Sequence, residues 1–530
     1  MIVLLAASPI GLAIVLLAVL RWPAARAMPA CALVCVLLSA FVWRVGPSEI
    51  GAALVEATFI TISILLILFG AVWLMEQLTL AGALETLRSW LSAQTPDQLL
   101  QALLIAWGVG SFFEGAAGFG APAVITAPLL VALGFKPLAA VVAALIGDSV
   151  AVSFGAVGTP LLVGMADGLT SASAPTPQAI AQRLVLYDLI AGPVMPVLLL
   201  WTVGLGFKGR SAWNGCLRAT PFALCLGIVH LAVTAASVYL VGLEVPSLLG
   251  PLAALAVGLF LLKARRLVPS EPFRFQPATG CENPEVLPAP SLPQVLRATA
   301  PYALLVLILI VTRLPSLGLR PFLLGVTVSY PNLFGSNISA SLQPLYSPFA
   351  AFALVTLAAP LWFRLPHRQL RQSAAIALKR VATALLPLLA AVATVRVFIH
   401  SSDGGAGLPS MPVVLASWLS EALGTMWPLF APWLGALGSF ISGSATFSNL
   451  LFADIQHSVA TAKEWSSGSV LALQSMGAAA GNMVCVHNVV AAAAAVGLVG
   501  QESAVLRRTA LPMAIYLLLS GIVVTALLAG

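Results

Sequence analysis

The sequence predicts an all-α polytopic membrane protein: about 12 transmembrane helices plus two re-entrant hairpins, set in inverted-topology repeats with broken helices. Three observations predict it. Of 530 residues, 60% are hydrophobic and 8% charged, with mean hydropathy +1.03, whereas a soluble domain carries roughly a quarter charged residues. Apolar runs near the ~20 residues that cross a bilayer recur from end to end. Two of these regions are interrupted by strings that match in register. Gly110, Ser111, Phe112, Gly115, Ala117 and Phe119 of "GSFFEGAAGF" correspond to Gly438, Ser439, Phe440, Gly443, Ala445 and Phe447 of "GSFISGSATF".

The elements follow in order. Residues 1–49 hold two N-terminal spans, 2–20 and 29–46. The opening string could mimic a secretory signal ending in "ARA". It lacks a basic n-region and its apolar stretch is long, so an uncleaved first span is expected. Residues 50–203 form the first repeat: a span at 50–75, a hairpin at 98–134, a broken helix at 137–165 and a span at 180–203. Residues 204–380 connect the repeats through spans at 220–242, 246–262, 298–313 and 348–363, with a polar linker at 263–297. Residues 381–530 form the second repeat: a span at 381–400, a hairpin at 426–462, a broken helix at 468–499 and a last span at 510–529.

Loop charges test this layout. Arg21 and Arg26, Lys208 to Arg218, the linker cations Lys263 to Arg297, Arg364 to Arg380, and Arg507 with Arg508 all fall on one side, the cytoplasmic side by the positive-inside rule. The intervening loops 166–179 and 401–410 contain no Lys or Arg. The first repeat then starts outside and the second inside, which makes them inverted. The layout requires each interrupted region to enter and leave on the same side. Arms at 102–113 and 122–134, roughly 18 and 20 Å long, reach only the middle of a core about 30 Å thick. Two full crossings per region would preserve the same loop sides.

Irregular backbone at membrane depth implies a cavity or protein around it. In "GSFFEGAAGFGAP" the candidates for substrate contact are Gly115, Gly118 and Gly120. Pro122 suits the first turn of a returning helix whose N–H groups would face a carboxylate. The second tip, "SGSATFSN", offers Ser444, Thr446, Ser448 and Asn449, and the broken spans add Ser153, Gly155 and Asn488. The competing reading of these small residues is helix packing.

Glu114 is the foremost ionisable residue. An apolar setting penalises its charged form, which suits it to carry a proton, and capping loop N–H groups is its alternative role. Asp148 and His487 are further proton-site candidates. Asp188 and Glu56 read as paired or helix-lining groups, Arg396 as a side chain snorkelling at the end of its span, His400 and Asp403 as interfacial, and His230 as packed in a helix. His457 and Asp454 bound the second hairpin. The cysteines Cys31, Cys35, Cys216, Cys225, Cys281 and Cys485 lack metal spacing and read as small packing residues. No Walker A run, dinucleotide glycine motif, metal cluster or nucleophile–base pair is evident, so neither ATP-driven pumping nor enzyme chemistry is expected.

At "GSFFEGAAGFGAP", "ALGFKPLAAV", "VSFGAVGTP" and "AAVGLVGQES" the sequence resembles the L-lactate permease family of bacterial proton-linked 2-hydroxymonocarboxylate transporters. The resemblance covers both repeats. It implies uptake of L-lactate, glycolate or D-lactate with H+ across the bacterial inner membrane, without a cofactor. The second half departs from the family pattern. Ala445 stands where an Asp or Asn is usual, and Asn482 with "CVHN" stands where a Lys and a Ser-Pro-Gln run are usual. The substrate is therefore open to a related small organic anion. Sodium-coupled uptake and an anion channel are the competing readings.

Overall fold

The computed structural model describes all residues except 17–19, 21, 119, 170, 276–289, 315–316, 499–500 and 530. Arg21, Phe119 and Cys281 therefore lie outside the described residues. The described residues are helical almost throughout, and among them eleven stretches are long and apolar enough to cross a membrane. One of them, Val194–Leu240, bends at Gly209 (φ +67°) into two helices.

The first half runs α1 (Ile2–Ile14), α2 (Ala24–Phe41), α3 (Pro47–Leu80) and the short α4 (Ala83–Ser92). The first hairpin is α5 (Gln98–Ala116) and α6 (Ala121–Ala132). Then come α7 (Pro137–Gly147), the broken α8 (Ala151–Gly168), α9 (Pro177–Ala191) and α10 (Val194–Lys208). The connecting region is α11 (Trp213–Leu240), α12 (Pro246–Lys263), α13 (Leu292–Arg313), α14 (Leu319–Leu324), strands β1 (Val328–Tyr330) and β2 (Ala340–Leu342), and α15 (Pro348–Phe363). The strands pair antiparallel. The second half is α16 (His367–Ile399), α17 (Met411–Leu423), the second hairpin α18 (Trp427–Ser442) and α19 (Ala445–Ala462), α20 (Ser467–Gly481), α21 (Val486–Ala495) and α22 (Glu502–Ala529). Each half thus carries a long helix, a short helix, a hairpin, an interrupted helix and a closing segment.

Several boundaries differ from the sequence expectation, for physical reasons. The first arm of the first hairpin has 19 residues, roughly 28 Å, because Asp97 caps it early by accepting from the N–H groups of Leu99 (2.9 Å) and Leu100 (3.1 Å). The returning α6 has 12 residues, roughly 18 Å, too short to cross. The expected span 180–203 is two helices, since Pro193 lacks the N–H that would continue the ladder. Helix α16 begins at His367, well before the expected 381. Its charged first turns are held by Arg380 on Glu76 (2.8 Å) and by Trp73 on Ser373 (3.2 Å), contacts that a hydropathy window cannot register.

Close backbone crossings assemble the core. Helices α18 and α20 approach until a Cβ at Gly477 would overlap the Pro432 carbonyl, one at Gly481 that of Ala436, and one at Gly435 that of Gln474. This is the small-residue packing that replaces hydrophobic driving force inside a membrane. Gly477→Ala is accordingly expected to cost about 1–3 kcal/mol, read as a lower melting temperature of the detergent-purified protein. An unchanged melting temperature would show that the helices can separate freely.

Candidate functional site

The site forms where the two hairpin tips meet the two helix breaks. In the first half Ser111 donates to the Gly147 carbonyl (2.9 Å), and Gly147 has no room for a side chain against the Ala106 carbonyl. These contacts seat the end of α5 on the end of α7. One turn beyond Ser111, Glu114 is 3% exposed, and its Oε1 occupies the place that a Cβ on Gly155 would take.

Asp148, directly after α7, is also buried. Among the described residues, Glu114 Oε2 and both carboxylate oxygens of Asp148 have no hydrogen-bond partner. The two groups are near enough for their charges to repel, and among the described residues no salt bridge reaches either.

The first break is longer and stranger than a Gly–Pro interruption. A short 3-10 turn, Ala151–Phe154, leads to three successive left-handed residues: Ala156 (φ +42°), Val157 (φ +58°) and Gly158 (φ +79°). A left-handed β-branched residue costs roughly 1–2 kcal/mol, so the surrounding packing must hold it. Gly158 is pressed on the Leu243 carbonyl, and a Cβ at Gly118, itself at φ +58°, would lie 2.8 Å from that of Ala156.

The tips cross between halves. The first tip touches its own break at Ala156 and the second break at Asn488, whose Oδ1 lies against Gly120. The second tip is beside Cys485 and His487 at Gly443, and Thr446 packs on Gly164 in the C-terminal part of α8. Asn449 Nδ2 donates to the Pro160 carbonyl (3.0 Å). Ser444 caps α19 by accepting from Phe447 N–H (3.3 Å). Behind it, Trp427 donates to Gln456 (3.0 Å), Gln456 to Gln474 (3.0 Å) and Gln474 to Ser448 (3.2 Å), a buried chain that fixes the hairpin on α20.

Between the tips lies a cavity of about 20 Å³, lined in part by Glu114, Gly118, Gly155, Ser444, Thr446 and Asn482, with room for about one water. Of the residues singled out from sequence, Glu114, Gly118, Gly155, Ser444 and Thr446 line it directly. Asn449 bonds the lining Pro160, and Asn488 bonds the lining Asn482 and abuts Gly120; Asp148 does not line the cavity. Ser153 is buried with an unpartnered hydroxyl. His487 is solvent-exposed at the second tip. Gly115 instead admits the Ser247 carbonyl, and Ser448 is spent on the Gly435 carbonyl (2.6 Å) and Gln474.

Sequence reading passed over Asn482 as a lining residue. The signal was present: "GDSVAV" from Gly147 aligns with "GNMVCV" from Gly481. Both glycines press on a carbonyl of their own hairpin, which pairs Asp148 with Asn482 in position.

Arg396 corrects the snorkelling expectation. It is 4% exposed and grips Glu56 with two donors, Nε to Oε2 (2.8 Å) and NH2 to Oε1 (2.5 Å). It also donates to the Asp167 carbonyl and contacts His400 (3.0 Å), which itself bonds Glu56 (3.0 Å). A charge deep in a membrane protein is tolerable when paired in this way, and the partner lies 340 positions away in sequence. Asp188 is similarly paired, accepting from Tyr516. His230 packs on Trp107 with centroids 5.0 Å apart.

The fold defines an all-α multi-pass membrane protein. The sequence matches the profile described as L-lactate permease over residues 2–529, and the chain belongs to the L-lactate permease family. It is 32% identical over 490 residues to a provisionally named L-lactate permease of Haemophilus influenzae, covering 88% of this chain and 87% of that one. It is 29% identical to the L-lactate permease of Escherichia coli K12 (87% and 83% covered) and 29% identical to the glycolate permease GlcA of the same strain (98% and 94%). With bacterial permeases as relatives and membrane-spanning helices throughout, it is a multi-pass protein of the bacterial inner membrane.

Proposed function

We propose that this protein is a secondary active transporter that carries L-lactate or a related small 2-hydroxymonocarboxylate, such as glycolate or D-lactate, together with a proton. The relatives named as lactate and glycolate permeases support the substrate class. The observation that carries the coupling is the pair Glu114 and Asp148, both buried, with carboxylate oxygens that have no partner and no salt bridge among the described residues. Two bare carboxylates in that position would cost several kcal/mol each, so the pair retains at least one proton. Adding a substrate anion to the same cavity raises the cost of any remaining negative charge. Anion and proton therefore enter together.

Backbone N–H groups at the start of α19 beside Thr446, and a protonated Glu114, would hold the substrate carboxylate. The matching order of elements in the two halves supports inverted repeats, with re-entrant hairpins meeting at mid-membrane. A cavity of about 20 Å³ holds about one water and not a three-carbon acid, so the tips separate from the breaks to admit substrate, as alternating access requires. Gly155 is where this can be tested locally. Gly155→Ala puts a methyl where Glu114 Oε1 lies, and the displaced carboxyl is expected to lower uptake by about a hundredfold in folded protein. Wild-type rates in that variant would mean that the position of Glu114 is immaterial.

Uptake of labelled L-lactate into sodium-free proteoliposomes tests the reading. Accumulation under an inward proton gradient is expected. Accumulation that needs a sodium gradient instead would transfer the coupling to sodium.

A further inference from the structure

The cavity holds a second polar device that proton coupling does not use. Asn482 lines the cavity, and Asn488 lies behind it; they are 3% and 1% exposed. Asn488 Nδ2 donates to Asn482 Oδ1 at 2.5 Å. That bond fixes the Asn482 amide, with its oxygen committed to Asn488 and its NH₂ group turned away from it. Asn488 Oδ1 is buried and has no hydrogen-bond partner among the described residues. It is aimed at the first hairpin tip, in the space left by the missing side chain of Gly120. Gly120 is at φ +77°, so both the backbone and the close approach require glycine there. The Asn482 amide on the cavity wall and the unpartnered Asn488 oxygen together offer an N–H donor and a carbonyl acceptor at the junction of the first tip and the second break.

We infer that Asn482 and Asn488 read the 2-hydroxyl of the substrate, and so make the site selective for 2-hydroxy acids over their 2-oxo and unsubstituted analogues. The inference rests on the monocarboxylate reading above. A hydroxyl both donates and accepts, so it satisfies Asn488 Oδ1 and the Asn482 amide at once. A 2-oxo oxygen accepts only, which leaves the buried Asn488 oxygen unpaired. A methylene leaves both amide groups unpaired. Sites built to hydrogen-bond a hydroxyl reject analogues for this reason.

The test is counterflow of labelled L-lactate in proteoliposomes, challenged with unlabelled L-lactate, glycolate, pyruvate and propionate. In the wild type, propionate and pyruvate are expected to compete at least about tenfold less well than L-lactate, and glycolate comparably to it. In Asn488→Leu, competition by L-lactate should fall while that by propionate holds or improves, bringing the ratio near one. Asn482→Leu should behave alike. Equal competition by propionate and L-lactate in the wild type overturns the inference without recourse to any variant. Undiminished preference for L-lactate in both variants overturns it too. Absence of monocarboxylate counterflow from correctly folded wild-type protein overturns the transport reading itself, and this inference with it.

Discussion

Glu114→Gln is expected to abolish proton-driven accumulation of substrate while leaving exchange between internal and external substrate in place. The substitution keeps the shape of the side chain beside Gly155 and its capacity to donate a hydrogen bond, but removes the group that gains and loses a proton. Because Glu114 Oε2 and both Asp148 oxygens lack partners, the amide breaks no existing bond at those atoms, and the fold should be retained. Net uptake then fails because the carrier can no longer return with a deprotonated site, whereas exchange never requires that step. Accumulation should drop to the level of substrate-free controls, with counterflow within about tenfold of wild type. Accumulation by the variant that still follows the proton gradient would make Glu114 a structural cap and move the coupling to Asp148.

The second large effect is on stability. Arg396→Ala leaves Glu56, whose side chain is 13% exposed, without its arginine and with His400 as its remaining partner among the described residues, and breaking a buried ion pair by removing one member costs up to about 3–5 kcal/mol. The detergent-purified variant should melt far below wild type or fail to accumulate in the membrane. The double variant Glu56→Gln with Arg396→Gln removes both charges and should recover much of the loss. Arg396 also donates to the Asp167 carbonyl at the end of α8, so it ties the long helices α3 and α16 to the C-terminal end of a broken helix. A thermal stability unchanged in Arg396→Ala would contradict the pairing.

These two residues mark what was legible in the sequence. Glu114 stood out because a carboxylate beside a glycine run in an apolar stretch has few explanations, and the structure places it on the cavity wall. The membrane class and most spans followed from hydropathy, which is a local property. Arg396 was misread because its partner is distant in sequence, and side-chain pairing across helices leaves no local trace. Asn488 was a candidate from sequence, but its approach to Gly120 in the other half of the chain left no local trace. Break geometry was only partly legible. Gly155, Gly158 and Pro160 announced an interruption, but nothing in "GAVG" announces that Ala156 and Val157 carry left-handed backbone. That conformation is imposed by packing against Gly118 and Leu243. Similarly, the length of α5 came from a cap at Asp97, and the early start of α16 from contacts with α3.

The central claim is that the buried carboxyl pair moves a proton with each substrate anion. It is tested most directly by adding L-lactate to sodium-free proteoliposomes that contain a pH-sensitive dye and start with no gradient. The account predicts internal acidification that tracks entry of the label in wild type and is absent in Glu114→Gln. Entry of labelled L-lactate into wild-type vesicles, with membrane leaks of undissociated acid subtracted and no accompanying proton, would contradict it.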